Sequence, residues 1–193
     1  LYPVHYNFTK GQKEENHSQG NGQFDFSPAN FQGNGRGNDA GVLPAITAQW
    51  IENAYFSLYQ DFGYKHRKSI PLIIYSSPTL FEQTNVTPQI IPEGVGGFTE
   101  SLKNRIVIPF TGSYEDYRHV LHHELVHAFQ FGILLDQFGS NIFRAGAIQM
   151  PLWFAEGSAE YLSSGWNCDA DMFMMDKVIH GAVPLPGPAM GRY

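Results

Sequence analysis

Residues Ser113 to Gly132, SYEDYRHVLHHELVHAFQFG, are predicted to form one helix around which the rest of the chain is organised. Ser113 stands where a helix N-cap belongs. Asp116 follows three residues later, which is close to a capping box with Asp in place of Glu or Gln. Gly132 is a typical residue just after a helix end, so we expect the helix to stop there.

An H-E-x-x-H motif, His123-Glu124-Leu125-Val126-His127, lies inside this helix. Residues four apart share one helix face, so the imidazoles of His123 and His127 can reach one cation. Glu124 is rotated by about 100° from His123. Its carboxylate should therefore flank the cation, where a general base for an activated water belongs.

A third metal ligand must come from elsewhere, because catalytic zinc takes three protein ligands and keeps one position open. The best candidate lies in a second predicted helix, residues 151–163, PLWFAEGSAEYLS. Glu156 and Glu160 are four residues apart there, so both carboxylates project from one face. We predict Glu156 as the third ligand and Glu160 as the acceptor for the outer N–H of a ligating histidine.

Two further histidines, His119 and His122, precede the motif. His119, His123 and His127 are spaced by four, so a site with three histidines is conceivable. However, His119 lies two turns from His127 and about 80° off its line, so the three rings could hardly converge on one ion. We expect neither His119 nor His122 to bind the metal.

H-E-L-V-H followed by W-F-A-E-G-S-A-E-Y resembles the gluzincin metallopeptidases, whose ligands are two His of H-E-x-x-H and one downstream Glu. The form E-G-x-A-E-Y is most similar to bacterial peptidase-MA-like domains, and the resemblance runs from about Ile70 to Asp171. It implies an α+β, zincin-like (thermolysin-like) fold, with a mixed twisted sheet packed on helices. It also implies one Zn²⁺ as cofactor.

The function that the resemblance implies is hydrolysis of peptide bonds in a peptide or protein substrate. Zinc would activate a water, with Glu124 as general base. Tyr161 is a candidate for stabilising the oxyanion, and His180 is a second one. Gluzincins bind an extended peptide along an edge strand beside the metal. The stretch at that location is Gly96, Gly97, Phe98 and Thr99, although an ordinary glycine-rich approach to a turn remains the alternative.

Two other functions stay open from the sequence. One is a catalytically silent zincin-fold module that binds peptides or serves as a scaffold. The other is an aminopeptidase, which would need an acidic anchor for a free α-amine, and Glu93 or Glu100 could serve.

Composition favours a single domain over residues 1–193, since 42% of the residues are hydrophobic and can bury a core. The net charge of −6 argues against a nucleic-acid partner. The longest apolar runs, such as Ile70 to Tyr75, are far shorter than the ~20 residues of a transmembrane segment. Cys168 is the single cysteine, so no intrachain disulfide can form.

Periodicity predicts the remaining elements. Residues 11–41 are rich in Gly and Asn and should form a loop or insertion, and residues 184–193 a tail. Met172, Met175 and Ile179 are expected to face the core from a last helix. The predicted helices are 44–62, 77–83, 133–138 and 169–179, and the predicted strands are 1–9, 70–75, 97–100 and 104–110.

The location is expected to be extracellular, periplasmic or in the cell envelope. This follows from the resemblance, because peptidase-MA-like domains often precede a TolB-like β-propeller in secreted or envelope proteins. A propeller domain in a longer parent chain is therefore an expected partner. Residue 1 is Leu and no charged-then-apolar leader follows, which suggests a processed or trimmed chain.

Overall fold

The computed structural model describes residues 4–10, 24–26, 42–82, 96–141 and 150–183. The strands are β1 (Val4–Lys10), β2 (Phe24–Phe26), β3 (Pro71–Tyr75), β4 (Phe98–Glu100) and β5 (Arg105–Pro109). The helices are α1 (Val42–Phe62), α2 (Pro78–Glu82), α3 (Tyr114–Phe138), α4 (Leu152–Ser164) and α5 (Cys168–Ile179). None of the described helices is long and apolar enough to cross a membrane.

The strands form one mixed sheet in the order β2-β1-β3-β5-β4. β3 and β5 are parallel, whereas the other pairs are antiparallel. β4 lies at an edge of the described sheet, next to β5. The predicted α+β class with a mixed sheet is confirmed.

The core lies on both faces of β3 and β5, whose side chains alternate between the faces. One face packs against α1 and α3, and the other packs against α2. The first cluster includes Ile51, Leu58, Leu72, Ile74, Ile106, Ile108, Leu121, Leu125 and Phe129. The second is Ile73, Tyr75, Phe81 and Val107. Burying each large side chain contributes about 1.5–3 kcal/mol.

The long helix α3 begins where the sequence predicts, but it does not end there. The Ser113 hydroxyl accepts a hydrogen bond from the Asp116 N–H at 3.2 Å. The predicted stop at Gly132 is wrong: the helix continues to Phe138 and ends at Gly139, with φ of +79°. Gly132 is buried inside the helix, where a Cβ would lie 2.5 Å from Cε1 of His66. Close packing against His66 requires a glycine at this position, and a helix end does not.

Three other expectations are corrected. Residues 133–138 belong to α3 and form no separate helix. Phe24–Phe26, inside the predicted loop 11–41, pair with β1 as a strand. The rest of that loop and the tail 184–193 lie outside the described residues.

Met172, Met175 and Ile179 are 69%, 63% and 76% exposed, so they are not core. Helical spacing shows that residues share a face, but not that another element covers it.

Replacing Gly132 by Ala should destabilise the protein by about 1–3 kcal/mol. The added methyl group would overlap His66 and Tyr64, whose rings are fixed by their packing around Phe129. Gly157→Ala in α4 is the matched control, because nothing lies within 4 Å of its Cβ position. It should stabilise α4 by up to about 1 kcal/mol. Urea unfolding measures both; equal effects of the two changes would contradict this account.

Acidification should destabilise the fold through His66. Burial lowers the pKa of His66 from 6.5 to about 4, with Asp136 opposing the shift. The unfolded chain then binds a proton that the folded chain does not, so stability falls by about 3 kcal/mol as pH drops from 6.5 to 4. Urea unfolding above and below this window, compared with His66→Gln, isolates the effect. An identical pH dependence in both proteins would refute it.

Candidate metal centre

Two imidazole nitrogens and one carboxylate oxygen meet between α3 and α4. Nε2 of His123 lies 3.2 Å from Nε2 of His127 and 3.3 Å from Oε2 of Glu156. Nε2 of His127 lies 3.5 Å from the same oxygen. In a tetrahedral zinc site with bonds of about 2.0–2.2 Å, ligand atoms are about 3.3–3.6 Å apart. The three residues can therefore hold a metal ion.

Small residues let α4 approach α3 closely enough for this contact. Ala155 and Ala159 are fully buried and lie four residues apart, so they share the face of α4 that packs inward. Glu156 follows Ala155 and Glu160 follows Ala159, so the two glutamates occupy the adjacent face of α4. A larger side chain at either alanine would push the carboxylate away from the histidines.

The centre is buried at its histidines and open to solvent at Glu156. The side chain of His127 is 2% exposed and that of His123 is 19% exposed, whereas that of Glu156 is 43% exposed. Burial lowers the pKa of His123, and the neighbouring His127 lowers it further, against the opposing effect of Glu156 and Glu160. The neutral imidazole is thereby favoured, which is the form that binds a metal.

Glu124 is buried beside the centre, against β4. The hydroxyl of Thr99 lies 2.7 Å from Oε2 of Glu124 and 2.8 Å from its backbone oxygen. Burial raises the pKa of Glu124 to about 6, although the Thr99 hydrogen bond acts to lower it. β4 comes this close because Gly97 has no side chain: a Cβ there would lie 2.5 Å from Ile108 and 3.3 Å from Cγ of Glu124.

Glu160 lies between His119 and His123. Its Oε2 is 3.3 Å from Nε2 of His119 and 3.6 Å from Nδ1 of His123. The carboxylate thus faces the outer nitrogen of a candidate ligand, but at 3.6 Å it makes no direct hydrogen bond, so the role of Glu160 as an acceptor stays a prediction. His119, His123 and Glu160 form a second group that could hold a metal ion, and His119 is not part of the group of His123, His127 and Glu156. Nδ1 of His119 lies 2.7 Å from the Ser164 hydroxyl.

Sequence reasoning missed Gln130. Its Oε1 lies 2.9 Å from Nδ1 of His127, and its Nε2 donates to the backbone oxygen of Ala155 and to the Ser158 hydroxyl. The available signal was its position three residues after His127, where side chains on a helix meet. A lone amide in the run A-F-Q-F-G was a second signal.

Three other candidate residues are placed as follows. Tyr161 is 60% exposed and points about 140° around α4 from Glu156. His180, at the end of α5, contacts Asp176. Phe98 packs against Phe81 on the opposite sheet face, at a centroid distance of 5.5 Å.

The edge stretch and the acidic anchors are placed as follows. Gly96 packs near Val120 of α3, next to Gly97. Glu100 forms ion pairs with Lys103 and Arg105. Glu93 lies outside the described residues.

Comparisons with known proteins add no family assignment. No family model matches the sequence, and no curated protein or solved structure gives a significant match. The resemblance to gluzincins therefore rests on the motifs alone, and the arrangement of the site rests on the geometry above.

Removing the carboxylates of α4 should weaken metal binding to different degrees. Glu160→Ala should raise the zinc dissociation constant by about 10–100-fold through loss of an outer partner. Glu156→Ala should raise it further, because a donor atom itself is lost. Competitive chelator titration measures both, with Glu115→Ala on exposed α3 surface as the control for charge. Equal losses in all three variants would reduce the effect to net charge and contradict the assignment.

Proposed function

We propose that this chain is a zinc-dependent metallopeptidase of the gluzincin type, built on a zincin-like fold. The observation that carries the proposal is the triangle of donor atoms from His123, His127 and Glu156, with edges of 3.2, 3.3 and 3.5 Å, beside the buried Glu124. The spacing matches tetrahedral zinc, and the donor types match catalytic zinc sites.

The donor set favours a catalytic site over a structural one. Structural zinc sites are closed by four protein ligands, commonly with cysteine. Cys168 is exposed on α5, and the described residues group only three donors around this point. A zinc ion bound here would serve as a Lewis acid that polarises a carbonyl and activates water.

Glu124 suits the role of general base. A base works best when its pKa is near the operating pH, and burial brings that of Glu124 to about 6. It accepts a proton from the attacking water and returns it to the leaving amine. The Thr99 hydroxyl holds Oε2 and so fixes the direction of the carboxylate.

β4 supplies a binding edge for an extended peptide. As an edge strand, it has one side that is not paired with another described strand. A substrate peptide pairs with such an edge through main-chain hydrogen bonds, as in other strand-addition complexes. Residues 96–99 lie beside Glu124, so a peptide along them runs past the metal centre.

Of the two candidate anchors for a free α-amine, the described one, Glu100, is poorly suited to an aminopeptidase. Lys103 and Arg105 already neutralise its carboxylate, and they lower its pKa against the effect of burial. It therefore has little capacity left to capture a free α-amine. A silent binding module is also less favoured, because a carboxyl group buried beside the cluster costs stability without serving binding.

Location in the cell envelope or outside the cell, and a β-propeller in a longer parent chain, belong to the same proposal. They rest on the E-G-x-A-E-Y motif at residues 156–161.

Glu124→Gln should lower kcat for peptide hydrolysis by about 10²–10⁴-fold, while zinc stays bound. The amide keeps the size of the side chain but cannot accept the proton. Hydrolysis of a quenched fluorescent peptide library and zinc content by elemental analysis measure the two quantities.

Glu115→Gln is the matched control, since it removes the same charge from an exposed position of α3. It should leave both quantities unchanged. Turnover by Glu124→Gln at the native rate would eliminate the general-base role. A zinc-loaded native protein that cleaves no peptide in the library would favour the silent binding module.

A further inference from the structure

We propose that Gln130 is a positioning residue that fixes the tautomer of His127 and couples it to the placement of Glu156. The functional meaning of this role rests on the proposed zinc site. The hydrogen bonds themselves belong to the chain alone, so they can be tested with or without metal.

The tautomer follows from the polarity of the hydrogen bonds. The backbone oxygen of Ala155 can only accept, so the group of Gln130 that lies 3.0 Å from it must be the NH₂. This sets the amide orientation, and Oε1 of Gln130 then faces Nδ1 of His127 at 2.9 Å. Because an amide oxygen can only accept, Nδ1 must carry the proton. A neutral His127 therefore presents a lone pair on Nε2 to the cluster.

The same amide holds α4 in place. Ala155 directly precedes Glu156, and Ser158 lies two residues after it. Gln130 donates to the backbone oxygen of the first and to the hydroxyl of the second, at 3.0 and 2.8 Å. One side chain thus contacts α4 on both sides of the carboxylate that completes the triangle.

Burial makes these bonds decisive. Gln130 is 5% exposed, and His127 is 2% exposed. Water has little access to replace a lost partner, and a buried polar group left without one costs about 1–3 kcal/mol. By contrast, Nδ1 of His123 faces Oε2 of Glu160 at 3.6 Å. The Glu160 side chain is 56% exposed, so water reaches it. His127 is the more rigidly held of the two histidines.

The direct test is the tautomer of His127 in the zinc-free native protein at mildly alkaline pH, read from its ring ¹⁵N chemical shifts by NMR. Without Gln130, the carboxylate of Glu156 would favour a proton on Nε2, because Oε2 lies 3.5 Å from that nitrogen. We expect the proton on Nδ1. A proton on Nε2 overturns the proposal, whatever any variant does.

Two variants separate the roles of the amide. Gln130→Met has a similar size but neither polar group, so His127 should populate both tautomers and the zinc dissociation constant should rise by about 10–100-fold. Gln130→Glu keeps an oxygen opposite Nδ1 but has no N–H for Ala155. It should retain the proton on Nδ1 and still bind zinc more weakly, because α4 is released.

Gln137→Met is the matched control, since this glutamine is exposed near the end of the same helix. It should change neither the ¹⁵N shifts of His127 nor the zinc dissociation constant. A folded Gln130→Met protein with the native tautomer and native zinc affinity would overturn the proposal. If the native protein cleaves no peptide, the proposed function fails, but the ¹⁵N and zinc measurements still decide the role of Gln130.

Discussion

The close packing of α4 on α3 is the constraint on which the centre depends. Ala155 and Ala159 have no exposed surface, and their small size lets the two helices approach until a carboxylate of one meets two imidazoles of the other. As a result, the three donor atoms lie 3.2–3.5 Å from each other. Desolvating such groups is costly, so their positions must be held by the surrounding packing and hydrogen bonds.

Helix α3 contributes residues both to the main core and to the candidate metal centre. Leu121, Leu125 and Phe129 face the sheet and build the main core. The polar residues Glu124, His127 and Gln130 are buried as well, because β4 and α4 cover this middle part of the helix. Each of them has a hydrogen-bond partner. Glu124 contacts the Thr99 hydroxyl, and His127 contacts the amide of Gln130. Gln130 also donates to the backbone oxygen of Ala155 in α4. The stability of the core therefore also fixes the geometry of the site.

The sequence predicted the α+β class and the three residues that can hold a metal ion, including the distant Glu156, but several other predictions failed where long-range packing decided the outcome. The stop at Gly132 was wrong because this glycine makes room for His66, which is far away in the chain, and does not end the helix. The apolar residues of α5 were expected in the core, yet they are exposed. Gln130 was missed because its partners, Ala155 and Ser158, are distant in sequence.

By itself, the sequence determined what depends on local spacing. Two histidines four residues apart share a helix face, Glu124 stands beside them, and Ser113 caps the helix, because helical geometry repeats every 3.6 residues. Only the tertiary structure decided which distant groups meet these residues. The approach of Glu156, the burial that raises the pKa of Glu124, and the amide behind His127 all arise from the packing of α3 against α4 and β4. No local periodicity encodes that packing, since it depends on the shapes of surfaces far apart in the chain.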